Sequence, residues 1–153
     1  MTGQARVRPL LLVDVDGVLL VTRGRDDDGQ PAHAPFVVPE AGRWLTELAA
    51  HFDLCWATSW EHVANEEIGP AIGIGPLPVI EFDMDYATST PKLRSAAAFV
   101  ADRPCAWMDD DLGWDAIAWA EGRAAPTLLV HIDGTEGLTR MDVDALLEFA
   151  ASL

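Results

Sequence analysis

Cysteine is scarce in this chain: Cys55 and Cys105 are the only two. Both lie in apolar runs, "DLCWAT" and "PCAWMDDD", that read as buried strands. A disulfide framework is therefore not expected, and free buried thiols are. Cations are also few. Ten lysines and arginines face 25 aspartates and glutamates, for a formal net charge of −15. A surface this acidic repels phosphate backbones, which counts against bulk nucleic-acid binding, although it also favours solubility. No apolar run approaches the roughly 20 residues that a membrane helix needs, so no membrane partner is expected. Arg6 and Arg8 precede an apolar stretch, but Asp14 and Asp16 interrupt it and no small-residue cleavage site follows. A secretory leader is thus not expected, and the expected location is the cytoplasm. Internal repeats, low-complexity segments and linkers are missing as well, which points to one domain over 1–153.

Half of the residues are hydrophobic and 23% are charged, the balance of a globular chain. Apolar runs at 9–13, in "DLCWAT", at 78–82, in "PCAWMDDD" and in "TLLVHID" predict five strands. Between them, "PEAGRWLTELAAHF", "SWEHVANEEIG", "TPKLRSAAAFVAD" and "GWDAIAWAEGR" carry helical spacing, and "GLTRMDVDALLEFAASL" predicts a last helix. Ser59 is the expected N-cap of the second helix, and Thr139 with Asp142 the expected capping box of the last. Alternation of this kind predicts an α/β fold, a parallel sheet with helices on both faces. The longest irregular stretch, 20–38, is read as a flap.

In open parallel sheets, ligands sit beyond the carboxyl ends of the strands. The first strand delivers Asp14 and Asp16 there, the second Thr58 and Ser59, and the fourth Asp109, Asp110 and Asp111. Lys92, at the start of the third helix, reaches the same edge. Clustered acids raise one another's pKa unless a cation joins them, and hard oxygen ligands suit magnesium.

"VDVDGVL" resembles the first motif of the haloacid dehalogenase-like (HAD) phosphotransferases, a hydrophobic strand followed by Asp-x-Asp-Gly. "LCWATS", "TPKL" and "AWMDDD" follow in that superfamily's order. Together with "WATSWEHVAN", these motifs also resemble, more narrowly, the small capless HAD domains associated with Swiss Army Knife RNA repair proteins. The resemblance implies a three-layer Rossmann-like sheet with strand order 5-4-1-2-3 and no full cap domain. Such an order puts the first strand between the two cysteine strands, roughly 9–10 Å apart and beyond bridging distance. It further implies a magnesium-dependent phosphatase working through an aspartyl-phosphate. Asp14 would be the nucleophile and Asp16 the acid and base. Thr58 would hold the phosphoryl group, and Lys92 would neutralise charge. Asp14, the Asp16 carbonyl, Asp109 and Asp110 would hold Mg2+. Two registers stay open: Thr58 or Ser59 for the hydroxyl, and Asp109/Asp110 or Asp110/Asp111 for the metal.

An open site of this kind implies a large phosphate ester such as a nucleic-acid end. The alternatives are a small metabolite or nucleotide, with a partner subunit as cap, and a non-catalytic binding module. Arg23 and Arg25, in the flap, are the expected local attraction for a phosphorylated polymer. Trp60 is expected to pack under its helix, His62 to lie on the surface, Trp107 in the core, and Trp114 and Trp119 between helix and sheet. His131 is expected near the rim.

Overall fold

The structure, a computed structural model, describes residues 8–22, 27–30 and 34–153. In chain order the first elements are β1 (Leu10–Val13), β2 (Leu20–Val21), β3 (Phe36–Val37), α1 (Ala41–Ala49) and β4 (Asp53–Trp56). A wide helical turn over Ala64–Ile68 leads into the short helix α2 (Gly69–Ile72). Then come α3 (Leu93–Val100), β5 (Cys105–Asp109), α4 (Trp114–Gly122), β6 (Thr127–His131) and α5 (Arg140–Ala151). Four strands form a parallel sheet in the order β4-β1-β5-β6.

The apolar run of β1 is buried along its whole length because it faces two layers. Successive side chains point to opposite faces. Leu11 and Val13 pack with α1 and α5 through Trp44, Leu45, Leu48, Val143 and Leu146. Leu10 and Leu12 pack with α3 and α4 through Ala96, Val100 and Ala116. The α/β class and the parallel sheet are therefore as expected. Thr139 and Asp142 close the capping box of α5. Cys55 and Cys105 are free, with β1 lying between their strands, and burial pushes the Cys55 thiol up to about 12.

Several expectations need correction. The strand expected at 78–82 shrinks to one parallel bridge, Trp56 to Val79, since Pro76 and Pro78 carry no N–H for a ladder. No helix starts at Ser59: Glu61 has φ 50°, a left-handed backbone that breaks any helix running through it. Trp114 does not pack on the sheet. The buried stripe of α4 runs through Ala116 and Trp119, which leaves Trp114 74% and Ile117 49% exposed. The stretch at 20–38 is bounded by the antiparallel pair β2 and β3. Arg23 and Arg25 lie outside the described residues. No helix among the described residues is long and apolar enough to cross a membrane.

Candidate active site

The carboxyl ends of the inner strands β1 and β5 converge on a cavity of about 300 Å³. Asp14, Asp16, Ser59, Lys92, Asp109, Asp110 and Asp111 all line it, with Met84, Tyr86 and Pro91 as its apolar side. Thr58 is absent from that wall. It is fully buried behind it, and its hydroxyl accepts from the Trp60 amide at 3.1 Å.

Lys92 forms the centre of the cluster. Its ammonium lies 2.9 Å from Asp14 Oδ1 and 2.8 Å from Asp109 Oδ2, and donates to the Ala57 carbonyl at 3.0 Å. Three protons thus meet three acceptors. Burial by itself would push the ammonium down, but Asp14 and Asp109 outweigh it and hold Lys92 above the usual lysine range. The Val15 amide donates to Asp14 Oδ1 at 2.8 Å. The Asp111 amide donates to Asp109 Oδ1 at 2.9 Å.

One ammonium is not enough for these acids. Burial, and then the Asp109 charge, push the Asp14 carboxyl well above the usual carboxylate range despite Lys92. Burial and Asp109 raise Asp110 in the same direction. Asp14, Asp109 and Asp110 each offer an oxygen within 4.8 Å of the others. Asp111 lines the cavity but does not join this group. Two glycines leave room for Asp110. A Cβ on Gly17 would come within 2.1 Å of Asp110 Oδ2, and one on Gly134 within 2.7 Å. Gly17 also has φ +80°, which strains any other residue. Charge, oxygen chemistry and cradle together fit a small, hard divalent cation.

Two parts of the site escaped the sequence reading. Trp60 is half-buried and packs against the core, though not under the helix expected there, and its indole N–H also donates to Asp16 Oδ2 at 3.1 Å. Forty-four positions separate the two, and no spacing rule connects them. Asp115, in the first turn of α4, accepts from the Ser89 hydroxyl at 2.7 Å and from the Thr90 amide at 3.0 Å. Thr90 in turn accepts from the Gly113 amide at 2.7 Å. Burial would raise the Asp115 carboxyl, yet these hydrogen bonds from Thr90 and Ser89 outweigh it and hold it at about 2. They clamp the segment just before Lys92 onto α4. His62 is exposed and pairs with Glu81 at 2.9 Å, outside the cavity wall. His131, at the end of β6, is exposed and also off that wall.

No protein-family model matches the chain, and no curated protein matches it. Solved structures do. One, from Vibrio cholerae, is assigned as a 3-deoxy-D-manno-octulosonate 8-phosphate phosphatase; it is 20% identical, with a TM-score of 0.51 over 97% of this chain and 88% of its own. Another is a hypothetical protein from Xanthomonas campestris, 19% identical, with a TM-score of 0.50 over 97% of this chain and 86% of its own. The likeness is one of fold.

Proposed function

We propose that this protein is a magnesium-dependent phosphatase of the HAD type, acting on phosphate monoesters. The observation that carries the reading is the group Asp14, Asp109 and Asp110, held within 4.8 Å beside a single shared lysine. The fold neighbour assigned as a sugar-acid phosphatase supports it. The three carboxylates, with the Asp16 carbonyl, would hold Mg2+, which when bound supplies the positive charge that phosphoryl transfer needs.

Asp14 attacks phosphorus, and the bond to the leaving oxygen breaks as Asp16 gives that oxygen a proton. The product is an aspartyl-phosphate, which splits one difficult step into two. Asp16, now a carboxylate, takes a proton from water as the water attacks phosphorus; inorganic phosphate departs and Asp14 is restored. Lys92 neutralises charge on Asp14 and on the phosphoryl oxygens. Of the two candidate hydroxyls, Ser59 lines the cavity and faces the phosphoryl group, whereas Thr58 lies buried behind the wall.

Among the described residues no large insertion covers the site, which favours a large ester such as an oligonucleotide end. A second reading, a sugar or nucleotide phosphate, is favoured by the cavity of about 300 Å³ and its Tyr86 and Met84 wall. Turnover of oligonucleotides with 5′- or 3′-phosphate, mononucleotides and sugar phosphates, with and without magnesium, decides between them. Asp14→Asn should abolish turnover of whichever ester is accepted, by roughly 10³-fold or more, while the variant stays folded. Wild-type rates in that variant, or full activity in excess chelator, would reject the mechanism.

A further inference from the structure

We propose that Trp60 is a positioning residue for Asp16, fixing which carboxyl oxygen carries the proton delivered to the leaving group. The inference rests on the phosphatase reading above and deepens it.

Asp16 is exposed, and among the described residues the side chain that hydrogen-bonds its carboxylate is the Trp60 indole. A solvent-exposed aspartate samples several rotamers, whereas proton transfer needs hydrogen-bond reach to the leaving oxygen. Trp60 supplies the missing constraint from a rigid base. Its ring packs against the core, and its amide donates to the buried Thr58 hydroxyl at 3.1 Å. Glu61, next in the chain, is held at φ 50°. The Glu61 amide donates to the Thr58 carbonyl at 3.0 Å, and the Glu61 carboxylate accepts from the Phe82 amide at 2.9 Å. The same backbone kink that prevents a helix at Ser59 thus aims the indole at Asp16.

The chemistry of the donor sets the direction. An indole N–H donates and never accepts. At 3.1 Å from Oδ2 it keeps that oxygen in the acceptor role. When Asp16 is protonated, the proton is carried on Oδ1, the oxygen turned away from the indole. As the phosphorus–oxygen bond breaks, that proton passes to the leaving oxygen, and Oδ1 is left as the base for water. Without the indole, the carboxyl turns freely and either oxygen takes the proton.

Trp60→Phe keeps the aromatic packing and removes the donor. An alkyl phosphate needs its leaving oxygen protonated, whereas p-nitrophenyl phosphate releases a stable phenolate. The ratio of kcat/KM for the alkyl ester to that for the aryl ester should fall about tenfold in the variant, a tenth of the smallest contribution usual for a general acid. Both substrates are measured on one preparation, so a partly unfolded fraction cancels from the ratio. Independently of turnover, the six tryptophans give six indole N–H resonances. The one lost in Trp60→Phe should be the one displaced in Asp16→Ala. An unchanged ratio in an active variant, or an indole resonance indifferent to Asp16, overturns this inference alone. No wild-type turnover of either ester with magnesium overturns the phosphatase reading and this inference with it.

Discussion

At the start of the strands, Asp53 lies between two guanidiniums, Arg103 at 2.8 Å and Arg8 at 3.0 Å. At their far end, one ammonium serves Asp14 and Asp109, with Asp110 alongside. Asp53 is held below the usual carboxylate range by hydrogen bonds from Arg103 and then Arg8, whereas Asp14 is driven above it by burial and Asp109. Cations exceed acids in the first cluster, and acids exceed cations in the second. Arg8 and Arg103 also tie segments together: Arg8 donates to the carbonyls of Ala49, Ala50 and Phe52, and Arg103 to that of Arg8. Charge in the first cluster closes on itself and braces the fold. In the second it is left incomplete, at the mouth of a cavity, as a site for a cation requires.

The contrast can be broken most forcefully at Lys92. Lys92→Met leaves two buried carboxylates facing each other, and removal of one partner from a buried ionic group costs about 3 kcal/mol or more. A large fall in the metal-free melting temperature is expected, partly restored by millimolar magnesium, with turnover lost in either condition. A melting temperature equal to wild type would show that the lysine is not what holds these acids.

Next in size is the Asp110 cradle. Gly134→Ala puts a methyl where Asp110 Oδ2 lies, 2.7 Å from the new Cβ. Magnesium affinity, read from the magnesium dependence of melting, should weaken roughly 10–100-fold, the range seen when a metal ligand loses its support. Unaltered affinity would remove Asp110 from the metal site.

The smallest effect sharpens the comparison through its sign. Asp14→Asn relieves a carboxylate whose raised pKa marks its ionised form as destabilising to the fold, so the metal-free variant should melt at or above the wild-type temperature at neutral pH. Asp53→Asn removes a carboxylate whose ionised form is stabilising, and should melt lower. Because Asp53 is half-exposed, the loss should be about 1 kcal/mol or less. Shifts of the same sign would mean that the two ends do not differ as described.

Much of this was legible in the sequence, for identifiable reasons. Leu10–Val13 is apolar at every position because it is covered on both faces, and a strand of that kind announces itself. Thr139 and Asp142 are three residues apart, within the reach of a local rule. Asp14, Asp16, Ser59, Lys92, Asp109 and Asp110 converge as their positions at strand and helix ends imply. Local rules failed where distant backbone decides. Glu61 adopts its kink by reaching the Phe82 amide, 21 residues on. The phase of α4 follows from Ala116 and Trp119 meeting the sheet, which turns Trp114 outward against the reading of its apolar spacing. The Trp60 to Asp16 contact and the Asp115 clamp join segments that only the folded chain brings together.

The sheet order has a consequence for how the protein breathes. β1 and β5, which end in Asp14 and Asp109, each have a neighbour on both sides, whereas β4, which leads to Ser59 and Trp60, has a full ladder on one side and a single bridge on the other. Amide opening begins where pairing is thinnest and reaches doubly flanked strands last. The segment that carries Ser59 and Trp60 can therefore loosen and re-form while Asp14 and Asp109 remain in register.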